Sequence, residues 1–260
     1  MKVIACYNIK GGVGKTATAV NLSYLASADG ARTLVLDLDP QGAASFYFRS
    51  AGASKKTVKA LAQAKGNLED LIETTDYTNL WLIPADLSFR HLDLMLDGEK
   101  KRHNRFKKSL EKLDDKFDYV FIDCPPSISL VSENIFHAAD LLLIPTIPTT
   151  LSLRTLEQLK AFREDQQANK LGILSFFNMV DLRKKMHREI VGNPPECMQP
   201  LLKSSIPYSA EIERMGLNRS PLAIYAGGSK AGQACRGLWT EVKVSIEQGQ
   251  ALAARPVIMT

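Results

Sequence analysis

Short apolar runs alternate with amphipathic stretches along the whole chain. Lys2 to Asn8 reads as a buried strand, and after a run of glycines a helix is predicted from Gly14 to Ala28. Ala31 to Asp37 is the next strand. Further strands are predicted at Leu80–Pro84, Asp118–Asp123, Leu141–Ile144, Gly172–Asn178 and Leu202–Ile206. Helical spacing falls between them, near Asn104–Asp114, Leu151–Gln167 and Gly232–Gln248. Strands rich in Val, Ile and Leu that lack polar alternation need cover on both faces. The strand–helix alternation implies parallel strands joined by right-handed crossovers. The expected class is therefore α/β, a doubly wound, mostly parallel sheet with helices on both faces. Gly42 to Asn79 is the least regular stretch, expected to hold helices and loops inserted after the second strand. No internal repeat or low-complexity tract breaks the pattern, and residues 1–260 are read as one domain.

Composition narrows this picture mainly by exclusion. The 260 residues are 45% apolar and 23% charged, which rules out wholesale disorder and collagen-like or disulfide-scaffold architectures. The longest apolar run, Ala138 to Ile144, is interrupted by Asp140 and ends at Pro145. A membrane-spanning helix needs roughly 20 apolar residues, and no secretory leader is expected where Val3–Tyr7 runs into glycines and a lysine. A soluble protein is expected. Cys6, Cys124, Cys197 and Cys235 are scattered, with no C-x-x-C pair and no His cluster, which fits a reduced, cytoplasmic setting. The net charge of +5 leans only weakly toward an anionic partner.

The chemistry is concentrated early, in Asn8-Ile9-Lys10-Gly11-Gly12-Val13-Gly14-Lys15-Thr16, between the first strand and the first helix. Nucleotide phosphates need a concave array of backbone N–H groups. Glycines permit that approach, and a helix N-terminus adds partial positive charge. Lys15 would reach the β- and γ-phosphates and the Thr16 hydroxyl would ligate Mg²⁺, with Ala17 on the first turn beside them. By average residue frequencies such a string arises by chance in roughly 1 of 10⁴ chains of this length, so a plain glycine turn is a poor explanation. Two apolar strands end in acids, at Asp37-Leu38-Asp39-Pro40-Gln41-Gly42 and at Ile122-Asp123-Cys124-Pro125-Pro126. In an open parallel sheet ligands sit beyond the carboxyl ends of strands, where both acids fall. Asp123 would hold Mg²⁺ through its water shell. Asp37 is either a support behind the site or a loop-capping carboxylate.

One departure from the ordinary P-loop sharpens the reading. The usual pattern has Gly where Ile9 stands, and here a second lysine, Lys10, opens the loop. In this the sequence resembles the deviant Walker A ATPases of the ParA/MinD superfamily, the short ParA form in particular. The resemblance extends over nearly the whole chain. It includes Leu80-Trp81-Leu82-Ile83-Pro84-Ala85, Cys124-Pro125-Pro126-Ser127, Phe177-Asn178-Met179-Val180-Asp181, Ile206-Pro207 and Ser220-Pro221-Leu222-Ala223-Ile224-Tyr225. It implies that Lys10 reaches across an ATP-sandwich homodimer to the partner's phosphates, neutralising transition-state charge as an arginine finger does. It also implies that Asp39, placed 24 positions after Lys15, orients the attacking water and belongs with Thr16 and Asp123 to the metal set. Asn178 would read adenine through its amide and Pro207 would flank the base.

Relatives that share this loop leave different marks. Membrane oscillators of the MinD type end in a basic amphipathic helix, whereas Glu247 to Thr260 carries one arginine and a proline, so no membrane partner is expected. Iron–sulfur relatives need cluster-bridging cysteines, and Cys124 pairs with nothing. Tyrosine-kinase relatives carry a tyrosine-rich tail, and no tyrosine follows Tyr225. Lys10 stands too early for a preceding helix-turn-helix domain, so operator reading is not expected. The ParA resemblance implies non-specific DNA binding by the ATP dimer, a cargo-bound ParB-like or adaptor protein that stimulates hydrolysis, and a cytoplasmic, nucleoid-associated location. The cargo classes it leaves open are plasmids, chromosomes and cytoplasmic bodies such as carboxysomes.

The residues proposed to meet DNA phosphates are Arg183, Lys184, Lys185 and Arg188, with Lys203, Arg214 and Arg219. The run Lys100–Lys108 reads instead as an exposed helix. Tyr208 and Glu211 stand where partition relatives often carry arginines, and Pro148-Thr149-Thr150 replaces their Pro-Glu. The alternative functions are a nucleotide-gated switch that recruits a protein rather than DNA, or a MinD-like membrane-associated ATPase.

Overall fold

The computed structural model describes residues 1–50, 61–62, 67–98, 102–166 and 171–249. Seven strands form one sheet: β1 (Lys2–Cys6), β2 (Thr33–Asp37), β3 (Glu73–Thr74), β4 (Leu80–Ile83), β5 (Tyr119–Asp123), β6 (Leu141–Thr146) and β7 (Gly172–Phe177). Their spatial order is β3-β4-β2-β5-β1-β6-β7, parallel except for the two-residue edge strand β3. The helices with both ends described begin with α1 (Lys15–Ala28), α2 (Ala43–Tyr47), α3 (Leu92–Asp97), α4 (Arg105–Leu110), α5 (Leu130–Ala138) and α6 (Thr150–Asp165). They continue with α7 (Lys185–Gly192), α8 (Ala210–Glu213), α9 (Met215–Asn218), α10 (Leu222–Ala226) and α11 (Lys230–Glu247).

The sheet is covered on both faces, as its unbroken apolar strands require. Successive strand residues point to opposite sides, so Val3 and Ala5 enter one core while Ile4 and Cys6 enter the other. The first core is closed by Leu96 of α3, Phe106 of α4, Ile135 and Phe136 of α5, and Leu156 and Leu159 of α6. The second is closed by Val20 and Leu22 of α1 with Leu238, Trp239 and Val242 of α11. Each of these large side chains, fully buried, contributes about 1.5–3 kcal/mol, and together they hold the strand ends in place. Helix α1 is buried on nearly every side, including Thr18, Asn21 and Ser23, because it lies between the sheet and the C-terminal helices. Its small Ala and Ser residues allow that close approach.

Two expectations are corrected. Leu202–Ile206 is not a strand. Isolated bridges fall only at its flanks, Ser175 with Leu201 and Val180 with Pro207, and its two ends alone donate to β7, Leu202 to Ser175 and Ile206 to Phe177, each at 2.9 Å. Its polar middle is held otherwise, since the Glu241 carboxylate accepts the backbone N–H groups of Lys203 and Ser204 at 2.6 and 2.8 Å. The helix expected over Asn104–Asp114 is α4 followed by a 3₁₀ turn at Glu111–Leu113. Part of Lys100–Lys108 and of the tail from residue 250 onward lies outside the described residues. No described helix is long and apolar enough to cross a membrane.

Candidate functional site

Parallel pairing of β2, β5 and β1 sets the site. Asp123 at the end of β5 lies opposite Asp37 on one side and Cys6 on the other. Between β1 and α1 the loop is pinned by Asn8, whose amide donates to the Pro145 carbonyl at 2.9 Å while its oxygen accepts the Lys10 N–H at 2.9 Å. Gly12 and Gly14 take left-handed φ angles of 71° and 92°. A Cβ on Gly14 would stand 2.2 Å from the Asn178 Nδ2, so here only glycine fits both backbone and neighbour. Helix α1 begins at Lys15, and its unpaired first-turn N–H groups open toward the loop. Gly11 and Gly12 are exposed above it and Val13 is buried beneath.

Lys15 is buried, and its Nζ donates to the Lys10 carbonyl at 3.1 Å. Burial lowers its pKa, against the opposing pull of the Cys124 thiol, Asp123 and Asp39. Asp123 is wholly buried, and among the described residues neither carboxylate oxygen makes a hydrogen bond of good geometry. Desolvation, then the charge of Asp37, raises its pKa well above the carboxylate range, with the nearby Thr16 hydroxyl pulling the other way. Such an orphaned carboxylate beside a hydroxyl is the donor set a hard divalent cation wants, so these residues fit Mg²⁺. Of its two expected parts, Asp37 shows the loop-capping one. Its oxygens accept from the Ser45 N–H at 2.8 Å, the Ser45 hydroxyl at 2.7 Å and the Asp39 N–H at 3.3 Å. Burial nevertheless raises its pKa to about 6. Asp39 is half-buried at the start of the turn into α2, its Oδ1 accepting the Gln41 N–H at 2.9 Å.

Asn178 and Pro207 meet in one cleft with Gly14 and Ala17. Its walls are Leu22 of α1, Ile212 of α8 and Leu238 of α11, an apolar slot suited to a planar base. The Asn178 amide donates to the Val13 carbonyl at 2.7 Å and its oxygen accepts the Met179 N–H at 3.0 Å, so in this arrangement it locks the loop. At the mouth of the cleft the Tyr208 hydroxyl donates to Glu213 at 2.6 Å. Lys10 points toward the start of α6. There its Nζ donates to the buried Ser152 hydroxyl at 3.2 Å, which also accepts from Thr149 at 3.0 Å.

Residues 1–173 match the family model described as an AAA domain. The chain is 30% identical over 251 residues to the sporulation initiation inhibitor protein Soj of Bacillus subtilis, covering 93% of this chain and 98% of that one. It is 36% identical over 230 residues to the chromosome-partitioning ATPase Soj of Treponema pallidum, covering 86% and 90%. Among solved structures, cobyrinic acid a,c-diamide synthase from Mycobacterium smegmatis with bound ADP and magnesium is similar, with a TM-score of 0.80 and 26% identity. That match covers 97% of this chain and 98% of the other. The chain belongs to the ParA/MinD superfamily of ATPases. As an ATPase of this superfamily it uses ATP and Mg²⁺.

The surface cations of this ATPase are less concerted than its nucleotide site. Arg183 is 83% exposed but folds back on Asp181, with Nε and Nη2 donating to the carboxylate at 2.8 and 2.9 Å. Lys185 pairs with Glu189 at 3.7 Å, and Arg188 donates to the carbonyls of Leu182 and Arg183. Lys184 and Lys203 are exposed. Arg214 lies 3.9 Å from Glu211, and Arg219 is held against Phe46. Sequence reading missed Ser45, Ser152, Ile212 and Leu238. The first two are single hydroxyls with no motif of their own, and the others come from segments far along the chain.

Proposed function

We propose that this ATPase is of the short ParA type. It hydrolyses Mg-ATP slowly, dimerises around two ATP molecules, binds DNA without sequence preference and segregates or positions a cargo. A cargo-bound ParB-like or adaptor protein stimulates its turnover in a cytoplasmic, nucleoid-associated setting. The single observation that carries this reading is the pair of lysines at the two ends of one phosphate loop, Lys15 buried near Asp39 and Asp123 and Lys10 turned outward to Ser152.

In this mechanism the loop N–H groups and Lys15 grip the triphosphate. Thr16 and Asp123 would hold Mg²⁺, which would supply charge neutralisation to the triphosphate. Asp39 orients the attacking water. Lys10 leaves the Ser152 hydroxyl and extends to the partner's phosphates, so hydrolysis is tied to assembly. The exposed Lys184, Lys185 and Lys203 then neutralise DNA phosphates, which makes binding fall steeply with salt.

The internal ties of Arg183, Arg188 and Arg219 favour a second reading, in which the ATP state recruits a protein rather than DNA. A gel shift with random-sequence DNA and ATP-loaded Asp39→Ala protein separates the two. The ParA reading expects a retained complex at low salt that dissociates at high salt. No shift at either salt leaves the protein-recruiting switch. Hydrolysis by Asp39→Ala at the wild-type rate overturns the assignment of Asp39.

A further inference from the structure

Helix α2 is anchored at both ends by unrelated contacts. At its start, Asp37 accepts from the Ser45 N–H and hydroxyl, and the Ser45 oxygen in turn accepts the Ala85 N–H at 2.9 Å. The turn from Asp39 leads directly into this helix, with the Gly42 N–H donating to the Asp39 carbonyl at 2.9 Å. At its end, Arg49 Nε donates to the Arg219 carbonyl at 3.2 Å and Nη2 to the Asn218 carbonyl at 3.3 Å. Arg219 returns the contact. Its Nε donates to the Phe46 carbonyl at 3.1 Å, and its guanidinium lies 4.5 Å from the centre of the Phe46 ring. Arg49 thus satisfies carbonyls at the end of α9 and pairs with Asp76 at 3.4 Å, while Arg219 adds a second donor to the Phe46 carbonyl, which also accepts the Arg49 N–H at 3.1 Å.

Both arginines also carry left-handed φ angles, 61° at Arg49 and 45° at Arg219. At the end of a helix that conformation favours glycine, so the backbone alone argues against arginine at either position. The guanidinium contacts are what these residues add. Beyond the clasp, Arg214 joins α9 to α8, and α8 supplies Ile212 and Glu213 to the base cleft. A continuous path therefore runs from the cleft wall, through the two arginines and α2, to the turn bearing Asp39.

We infer that Arg49 and Arg219 are positioning residues for hydrolysis. Their reciprocal clasp holds the Asp39 turn in register with the base-cleft wall, and Arg219 acts there rather than on DNA. The inference rests on the assignment of Asp39 given above. A misplacement of about 1 Å at a reacting group can cost 10²-fold in rate, so loosening this connection should slow turnover without weakening nucleotide binding.

The test uses Arg49→Gly, Arg219→Gly, the double variant and Asp39→Ala in the full chain with Mg-ATP. Glycine relieves the left-handed backbone, which offsets part of the lost guanidinium contacts, so the folded state should be retained. We expect kcat to drop about tenfold in either single variant, ATP affinity to stay within about twofold, and the double variant to be no slower than the singles, because cutting either side opens the same clasp. The salt slope of DNA binding should be unchanged in Arg219→Gly. Wild-type kcat in the glycine variants, or a flattened salt slope as the only effect of Arg219→Gly, overturns the inference. If Asp39→Ala itself keeps the wild-type rate, the assignment of Asp39 fails and this inference falls with it. If Asp39→Ala abolishes turnover while the glycine variants do not alter it, only the clasp is wrong.

Discussion

The phosphate site and the basic surface around α7 are built on opposite principles. At the candidate phosphate site, ionisable groups are buried where no described residue fully satisfies them: Asp123 has two orphaned oxygens, and Lys15 leans on a backbone carbonyl. Around α7 the charges are exposed and several are already occupied, Arg183 by Asp181, Lys185 by Glu189 and Arg188 by the loop's own carbonyls. A buried ion without partners is costly, and a fold retains one only where a ligand completes it. An exposed cation costs little, so its presence says little about purpose. The comparison teaches that unsatisfied buried groups locate a site more sharply than surface charge does.

The largest effect expected from breaking this contrast is at Asp123. Asp123→Asn should cut Mg²⁺-dependent hydrolysis about 10³-fold while leaving the ligand-free thermal midpoint unchanged or higher, since an uncompensated buried carboxylate is removed. A lower midpoint, read by calorimetry, would mean the carboxylate is structural. Next comes Gly14→Ala, which forces a Cβ into Asn178 at a left-handed position. It should destabilise the fold by about 2–3 kcal/mol in denaturant unfolding and release the Val13–Asn178 contact. Wild-type stability there would show that the cleft wall can move aside.

On the basic side the effects are smaller. Replacing Lys184 and Lys185 by alanine should lower DNA affinity and reduce the salt slope by up to about two, in binding titrations at several salt concentrations. An unchanged slope removes this patch from the DNA-binding surface. The smallest effect concerns Asp181, whose carboxyl is held down to about 2 by the Arg183 guanidinium. A depressed acid adds stability above its ordinary range and loses it as pH falls through the lowered value, so this pair weakens only in strong acid. Arg183→Ala should raise the Asp181 pKa toward the ordinary carboxylate range in an NMR titration. A value still near 2 would assign the shift to the loop N–H groups instead.

Local rules made much of this molecule legible. Unbroken apolar strands predicted a sheet covered on both faces, and the run of glycines predicted the turn between the first strand and the first helix, because both follow from neighbouring residues. The same logic failed at Leu202–Ile206, where Glu241, almost forty positions away, takes the N–H groups a ladder needs. It also could not pair Arg49 with Arg219, or seat Lys10 on Ser152.

By itself the sequence determined the class of fold, the order of its elements and the residues at the phosphate loop and acidic strand ends. These depend on periodicity, on glycine's backbone freedom and on short spacings along the chain. Only the tertiary structure decided which strands lie side by side, and therefore that Asp37 and Asp123 face each other, that four distant segments close one cleft, and that Arg219 is bound inward. Such contacts depend on how layers pack and on where a buried polar group can find a partner, and no local stretch of sequence carries that information.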